Sequence, residues 1–295
     1  MAQSPDLIRV GQFSESPVLA VARALSLGDK YGIDWETSRV PSSPGQFDAL
    51  RGGELDIVIT SPDNVLLYTS TENNPLGARL DVRLLRAIDR GLGLALYTST
   101  EFSSAEQLRG ATLGVDVMSS GFALLLLNML QRLGVDPADV TFEARGATPL
   151  RLKAILDGEI DGSILNAESA VGAERAGLKR WISSADIHPN YLGTVLAQMA
   201  GPLLPSTQAF VDMWGEASEV IASSTAGEEM SLLSQAAPAL AERSYVELLK
   251  SSEFGVLTDH EITAEQLGVL CDIRSRAGAY TPSPADVERT LSIRE

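Results

Sequence analysis

The sequence contains little of the chemistry that most enzyme and metal sites use. Cys271 is the one cysteine among 295 residues, which excludes an intrachain disulfide and a metal site built from several thiolates. His188 and His260 are the two histidines, the side-chain type that titrates near neutral pH. The nucleophile-elbow, P-loop, zinc-helix and dinucleotide glycine motifs do not occur. We therefore predict no catalytic residue, no metal ligand and no cofactor.

Positive charge and long apolar segments are also scarce. The chain has 23 Lys and Arg against 39 Asp and Glu, a formal net charge of −16. Nucleic acid and anionic membranes are bound by clusters of basic residues, and no such run occurs, so we exclude both as partners. The longest apolar run, FALLLLNML at residues 122–130, is shorter than the about 20 residues that cross a bilayer, which argues against membrane insertion.

The first ten residues, MAQSPDLIRV, lack the basic and apolar segments of a signal peptide. Two expectations about location follow. The protein is cytoplasmic, or it is the processed form of an exported chain and is periplasmic or otherwise extracytoplasmic. These two locations remain alternatives at the level of the sequence.

What the sequence does have is an internal repeat. Residues 49–63, ALRGGELDIVITSPD, recur 105 positions later as AILDGEIDGSILNAE at residues 154–168. The flanks repeat as well: the Gly-Ile-Asp at 32–34 returns as the Gly-Val-Asp at 134–136, and Gly11 matches Gly114. Each copy runs from a helix end through a Gly-Glu turn into a short strand. Two similar α/β halves usually enclose a cleft, and we expect the function to lie there.

The order of elements predicts a parallel sheet covered by helices in each half. In the first half, strands are expected at residues 7–11, 35–40 and 56–60, with helices at 18–31, 41–50 and from Ser61-Pro62 onward. Glycines at the helix ends, Gly52, Gly53 and Gly158, are expected in the left-handed conformation. Lobe 1 is predicted to comprise residues 1–90 plus 198–295, including a helical C-terminal tail, and lobe 2 residues 91–197. The crossings near residues 89–93 and 192–197 would act as hinges.

Several scaffold motifs occur in a characteristic order along nearly the whole chain. They are YGID at 31–34, ALRGGELDI at 49–57, SAEQLRG at 104–110, LGVD at 133–136, LDGEID at 156–161 and QLGVLCDIRSR at 266–276. In this order they resemble the type II periplasmic solute-binding proteins, and more narrowly the family that binds nitrate, sulfonates, taurine and thiamine-precursor pyrimidines. The resemblance implies a two-lobed α/β fold, each lobe a mainly parallel sheet flanked by helices. It also implies capture of a small organic ligand in the cleft and an ABC-type permease as partner.

The candidate ligand site follows from the edge where strands end and helices begin. Ligands of open α/β sheets bind beyond the carboxyl ends of the strands, and helix starts offer free N–H groups and hydroxyls. Each serine or threonine there has the alternative role of a simple helix cap. The residues that we predict to bind ligand are Phe13, Ser14, Glu15, Ser42, Ser43, Ser61, Asp63, Asp116, Met118, Ser119, Ser120, Thr148, Asn166 and Glu168.

The charge of these loops bears on the ligand. Four carboxylates fall in them (Glu15, Asp63, Asp116, Glu168), and the nearby cations are expected to be Arg145 and Arg90. Unpaired carboxylates beside a bound anion are costly, so the balance favours a ligand with a cationic or donor-rich group. The carboxylates could instead stabilise helix starts. Phe13, Met118 and Phe122 could supply an apolar or stacking wall, although core packing is the favoured role for Phe122.

An enzyme on the same scaffold is the main alternative function. It would be a cytoplasmic desulfinase, decarboxylase or pyrimidine-synthesis-like protein, and a third possibility is an intracellular ligand sensor. The desulfinase pattern needs a thiol in the loop after an early strand, where this chain has none, and Cys271 falls in the C-terminal helix. We expect His260 to be exposed, whereas His188 could face the cleft. An Asp63–Glu168 pair across the cleft would be the candidate acid and base. The sequence favours a binding protein over these alternatives.

Overall fold

The computed structural model describes residues 6–292, which form two five-stranded sheets with helices packed on them. The strands are β1 Asp6–Gln12, β2 Ile33–Arg39, β3 Ile57–Thr60, β4 Val82–Asp89, β5 Ala95–Thr98, β6 Thr112–Val115, β7 Thr141–Ala144, β8 Gly162–Leu165, β9 Lys179–Ser183 and β10 Thr194–Met199. The first sheet has the order β2-β1-β3-β10-β4 and the second the order β7-β6-β8-β5-β9. Each sheet is the centre of one lobe.

The helices connect these strands and then form a tail. They are α1 Pro17–Ala24, α2 Leu27–Tyr31, α3 Ser43–Arg51, α4 Pro62–Ser70, α5 Gly121–Arg132, α6 Thr148–Leu156, α7 Ala167–Arg175, α8 Ser184–Ile187, α9 Pro205–Ser223, α10 Ala226–Ala236, α11 Arg243–Leu249, α12 Ala264–Arg276 and α13 Pro284–Leu291. Short 3₁₀ helices occupy Ala105–Leu108, Pro137–Asp139 and Pro238–Leu240. Within the described residues, no helix has the length and apolar character to span a bilayer.

Both sheets are mixed, and in the same way. In the first, β2, β1 and β3 run parallel, and β10 is antiparallel to both β3 and β4. In the second, β7, β6 and β8 run parallel and β5 is antiparallel to β8 and β9. Since β10 belongs to the first sheet, the predicted lobe boundary at residues 197 and 198 falls inside this strand, and the chain has already crossed back before Thr194.

The internal repeat corresponds to repeated structure at the same spacing. Helix α6 starts and ends 105 residues after α3, α7 does so after α4, and β8 does so after β3. The matched glycines have the same packing reason. A Cβ on Gly11 would lie 2.4 Å from Leu55 Cδ1, and one on Gly114 would lie 2.6 Å from Ile160 Cδ1. In both halves, an aliphatic side chain just before β3 or β8 therefore packs against a glycine of the neighbouring strand, β1 or β6.

Local predictions are confirmed where a cap or a repeat specifies them. Ser61 is the N-cap of α4 and accepts a hydrogen bond from the Asp63 N–H at 3.3 Å. Gly53 and Gly158 both have φ of 72°, as expected for residues after a helix end. The same prediction is wrong for Gly52. Its φ is −73°, since it still belongs to the last helical turn.

Two further differences between the predicted and the observed elements have a local and a long-range cause. The expected helix at 18–31 is two helices, α1 and α2, since Ser26 adopts the left-handed conformation with φ of 53° between them. Strand β9 was not predicted. Its sequence KRWIS is polar at one end, and the strand forms by pairing with β5.

The C-terminal tail contributes to both lobes. Helices α9 and α10 pack on α1, where Trp214 and Phe210 join Trp35 in the core of lobe 1. Helix α12 instead packs on α5, so Leu267 and Leu270 belong to the core of lobe 2. The tail was predicted as part of lobe 1, and in the structure its helices lie on both lobes.

Candidate functional site

A cavity of ≈ 100 Å³ lies between the two lobes, where the strand ends of both sheets meet. Lobe 1 supplies residues 13–18 before and within α1 and residues 59–61 at the end of β3. Lobe 2 supplies Asp116 after β6 and residues 147–148 at the start of α6. Helix starts converge on this space because the carboxyl ends of parallel strands lie on one edge of each sheet.

The structure brings part of the predicted site together. The predicted residues that line the cavity are Phe13, Ser14, Glu15, Ser61, Asp116, Ser120, Thr148 and Asn166. The predicted residues outside its lining are Ser42, Ser43, Asp63, Met118, Ser119 and Glu168. Of the second group, the Met118 side chain is exposed to solvent, and the Asp63, Ser43 and Glu168 side chains take part in contacts described below.

Three of the predicted hydroxyls, those of Ser42, Ser61 and Ser120, cap helices. Ser16, Ser42 and Ser120 each accept a hydrogen bond at 3.3 Å from the backbone N–H of the residue three positions on. Thr148 accepts one at 3.1 Å from Arg151 Nη2. These oxygens are therefore engaged within the protein, and for Ser42, Ser61 and Ser120 this is the helix-cap role that the sequence left open. Ser16, which was not among the predicted site residues, has the same role at α1.

Direct contacts close the gap between the lobes around the cavity. The Ser43 N–H of lobe 1 donates to Asp116 Oδ2 of lobe 2 at 3.0 Å, and both groups are buried. The other contacts are Ala147 N–H to the Pro41 carbonyl at 2.9 Å, Gly121 N–H to Asn64 Oδ1 at 3.3 Å, and the Arg39–Glu168 ion pair at 3.3 Å. Burial raises the pKa of the Glu168 carboxyl, and the Arg39 charge opposes that rise. The structure is thus a closed form of the two lobes.

Asp63 has a structural partner of its own. Its Oδ2 accepts a hydrogen bond from Arg274 Nη1 of α12 at 2.6 Å, and both side chains are almost fully buried. Gly121, the first residue of α5, lies against it, since a Cβ there would be 2.5 Å from the Asp63 Cβ. The proposed acid and base pairing of Asp63 with Glu168 has no support in this arrangement, because each carboxylate is paired with an arginine.

The cation beside the cavity differs from those expected. Arg145 pairs with Glu143 and Glu159 on the surface, and Arg90 Nη1 donates to the Ser252 carbonyl, so neither lines the cavity. Arg151 of α6 lines it instead, with 2% of its surface exposed. Burial lowers the pKa of its guanidinium to about 10, and the charge of Asp116 opposes this shift. Helical spacing could have indicated this residue, because it follows the predicted site residue Thr148 by about one helical turn.

The two crossings between the lobes also reach the cavity. Asp89 ends β4 and accepts hydrogen bonds from the Gly91 N–H at 2.7 Å and from the Thr194 hydroxyl of the second crossing. Both Asp89 and Thr194 line the cavity. Burial raises the pKa of the Asp89 carboxyl to about 6, and the two hydrogen bonds oppose that rise. A ligand in the cavity would therefore lie beside the segments about which the lobes would rotate.

Further lining residues were not predicted to contact a ligand, with the exception of Phe122, which was expected in the apolar wall. Leu92 and Ala167 both adopt left-handed conformations, with φ of 47° and 50°, and the Ala167 N–H donates to the Leu92 carbonyl at 2.7 Å. Such backbone strain in non-glycine residues is typical of functional sites. Tyr245 comes from the tail helix α11. The remaining lining residues are Ser16, Pro17, Val18, Ile59, Thr60, Asn64, Ile88, Phe122, Ala147 and Val256.

The residues considered for catalysis lie elsewhere. The prediction that His260 is exposed is wrong. The side chain is buried, and its Nδ1 lies 2.9 Å from the Ala87 carbonyl oxygen. His188 and Cys271 are outside the cavity lining, and burial raises the pKa of the Cys271 thiol to about 11. Across residues 6–292, no group of three or more His, Cys, Asp or Glu side chains is placed to hold a metal ion.

Comparisons with known proteins identify the fold. No protein-family model and no curated protein sequence matches the chain. Among solved structures, a protein of Bordetella bronchiseptica RB50 is similar with a TM-score of 0.78 and 16% identity, over 99% of this chain and 95% of that one.

Two further structures carry descriptive names. The alkanesulfonate-binding protein SsuA of Xanthomonas axonopodis pv. citri, solved with MOPS bound, matches with a TM-score of 0.76 and 15% identity, over 98% of this chain and 99% of that one. A Candida albicans gene product described as having the generic periplasmic binding protein fold matches with a TM-score of 0.73 and 15% identity, over 98% and 97%. The chain therefore has the two-lobed type II periplasmic binding protein fold, which confirms the predicted fold class.

Proposed function

We propose that this protein is a solute-binding protein that closes its two lobes around a small organic molecule and presents it to an ABC-type permease outside the cytoplasm. The observation that carries the proposal is the cavity of ≈ 100 Å³ between the lobes, beside which hydrogen bonds run from one lobe to the other. Separation of the lobes would widen this cavity and ease the entry and release of a ligand.

The structural neighbours support this function. SsuA of Xanthomonas axonopodis pv. citri is named as an alkanesulfonate-binding protein, and a neighbour from Staphylococcus aureus is named as the ligand-binding component of an ABC-type import system. Delivery to a permease and a location outside the cytoplasm are the parts of the proposal that depend on this similarity.

The mechanism of closure follows from the contacts. Opening would break the Ser43–Asp116 hydrogen bond and the Arg39–Glu168 ion pair, which join the lobes at their facing edges. The crossings that contain Asp89 and Thr194 would remain intact and act as the hinge. A ligand that contacts both lobes stabilises the closed form by its difference in affinity for the two forms.

Gly121 provides a direct test of closure. A Cβ at this position would lie 2.5 Å from the Asp63 Cβ of the other lobe, so Gly121→Ala should hold the lobes apart. We expect it to weaken ligand binding about tenfold or more, because the closed form becomes less populated. Gly268→Ala in α12 is the matched control, since a Cβ there has nothing within 4 Å.

The ligand for this test would come from a thermal-shift screen of amines, sulfonates, heterocycles and amino acids. Binding would be measured by calorimetry and compaction by small-angle X-ray scattering, where wild type and Gly268→Ala should both contract. Equal affinity and equal contraction in Gly121→Ala would contradict closure at this interface. Conversion of a ligand to a product in mass spectrometry would favour the enzyme alternative.

A further inference from the structure

The charged groups that face the cavity are mainly acidic. Glu15, Asp89 and Asp116 line it, and Arg151 is the one cationic side chain among the described residues of its lining. The Asp89 carboxylate already accepts hydrogen bonds from the Gly91 N–H and the Thr194 hydroxyl. An anionic ligand would therefore enter a space whose carboxylates outnumber its cations.

Arg151 has few donors left for an anion. Its Nε–H donates to Ser163 Oγ at 3.0 Å, and Nη2 donates to Thr148 Oγ1 and to the Ile164 carbonyl oxygen, each at 3.1 Å. Nη1 donates to the Gly146 carbonyl oxygen. A guanidinium recognises a sulfonate or carboxylate through pairs of parallel N–H groups, and here those groups are directed at the protein. Arg151 thus fixes the start of α6 and offsets the charge of Asp116.

Asp116 is the polar group with capacity for a ligand. Its Oδ2 accepts the Ser43 N–H from the other lobe, whereas Oδ1 is buried without a protein partner, and the residue is 9% exposed. The hydroxyl of Tyr245, a residue 2% exposed, is a second unpartnered group in the same lining. Burial raises the pKa of this hydroxyl well above its usual value, so it stays neutral. A buried carboxylate oxygen without a donor is costly, and a ligand that brings a donor removes that cost.

We propose that the ligand carries a protonated amine that donates to Asp116 Oδ1, with its apolar body against Phe13, Ile59 and Phe122. This inference rests on the proposed function and specifies the ligand class. The ammonium supplies the donor that Asp116 lacks and offsets the acidic charge of the lining. The ligand is small, because a cavity of about 150 Å³ holds a single benzene ring and this one encloses ≈ 100 Å³.

The same carboxylate links recognition to closure. Asp116 receives the Ser43 N–H on Oδ2 in the closed form and the ligand amine on Oδ1. A bound ammonium polarises the carboxylate and holds it in place for the contact from the opposite lobe. Asp116 is therefore a specificity-determining residue that also favours the closed form.

The test uses amines smaller than benzene and counterparts that differ in one substituent. Propylamine, isobutylamine and cyclobutylamine would be compared with 1-propanol, isobutanol, cyclobutanol and propane-1-sulfonate in phosphate buffer, by thermal shift and calorimetry on the wild-type protein. We expect at least one of the amines to bind, and its alcohol counterpart and propane-1-sulfonate to bind at least about tenfold more weakly, because a hydrogen bond to a charged group is lost. Because it uses the wild-type protein, this comparison does not depend on the folding of a variant.

The variants locate the amine. Asp116→Asn should weaken amine binding about tenfold to a hundredfold, and Asp48→Asn, at a carboxylate 57% exposed on α3, should leave it unchanged. Urea unfolding would establish that both variants are folded. Failure of every amine to bind, or equal amine affinity in Asp116→Asn and wild type, would overturn the inference. Binding of propane-1-sulfonate in place of the amines, with contraction in scattering, would do so while leaving the solute-binding function intact.

Discussion

The two halves of the molecule have nearly the same backbone plan but place different chemistry at matched positions. Gln46 of α3 and Arg151 of α6 are 105 residues apart, as are the elements that carry them. Gln46 Nε2 donates to the Ile59 carbonyl oxygen at 3.0 Å, and Arg151 Nη2 donates to the matching Ile164 carbonyl oxygen at 3.1 Å. In both lobes this side chain therefore links the helix to the neighbouring strand by a hydrogen bond. It is neutral in lobe 1 and cationic in lobe 2.

The first loop of each half differs in a complementary way. Phe13 follows Gly11 by two positions and Asp116 follows Gly114 by two positions, and both line the cavity. Lobe 1 therefore presents an aromatic wall where lobe 2 presents a carboxylate with Arg151 beside it. At these matched positions, lobe 1 can contact the body of a ligand and lobe 2 its polar group, a difference that two identical halves could not provide.

A third matched pair shows how much depends on neighbours outside the repeat. Asp63 and Glu168 are each the second residue of their helix, α4 and α7. The tail helix α12 covers the first and supplies Arg274, whereas the second lies at the edge between the lobes and pairs with Arg39. Side-chain exposure is 3% for Asp63 and 25% for Glu168. The ion pairs at these two matched positions should therefore differ greatly in their effect on stability.

The largest effect is expected from Arg274→Met. It leaves the Asp63 carboxylate buried without its counter-ion, which costs about 3–5 kcal/mol of unfolding free energy. Urea unfolding followed by circular dichroism would measure this loss. Arg276→Met, two residues further along α12 and exposed, is the control and should unfold like wild type. A loss below about 1 kcal/mol for Arg274→Met would mean that the Asp63–Arg274 pair contributes no more than a surface ion pair.

Arg151→Gln would make lobe 2 resemble lobe 1 at this position. The glutamine can keep a bond to the Ile164 carbonyl oxygen, as Gln46 does with that of Ile59, but it loses donors to Ser163 and Gly146. We expect a loss of about 1.5–3 kcal/mol in unfolding free energy, the range for hydrogen bonds that involve a charged group. Arg175→Gln, at a side chain 62% exposed, is the control in the same urea assay. Wild-type stability in Arg151→Gln would show that glutamine and arginine are equivalent as the hydrogen-bond donor between this helix and its neighbouring strand.

The smallest effect is expected from Arg39→Met. Its partners are Glu168 at 3.3 Å and Glu15 at 4.0 Å. The Arg39 side chain is 54% exposed, so the pair with Glu168 is screened by solvent and contributes at most about 1 kcal/mol. The unfolding free energy should change by less than this amount, in contrast to Arg274→Met at the matched pair. A change as large as that of Arg274→Met would remove the distinction between the two ion pairs.

The sequence predicted the repeated elements well because their signals are local. Ser61-Pro62 specifies the start of α4, and the repeated Gly-Glu turns place β3 and β8. The same logic placed Ser61, Ser120 and Asn166 at the edge of the cavity. It failed for Arg145, because a residue next to a helix start can point to solvent and pair with surface carboxylates such as Glu159.

The sequence by itself determined two similar α/β halves whose helix starts carry hydroxyls and carboxylates, since strand periodicity, caps and turns are encoded by neighbouring residues. Only the tertiary structure decided which of those charges face the cavity. Arg274 neutralises Asp63 from 211 positions along the chain, and Tyr245 reaches the cavity from the tail. Burial and pairing set the free energy of a charge, and both depend on contacts between segments distant in sequence.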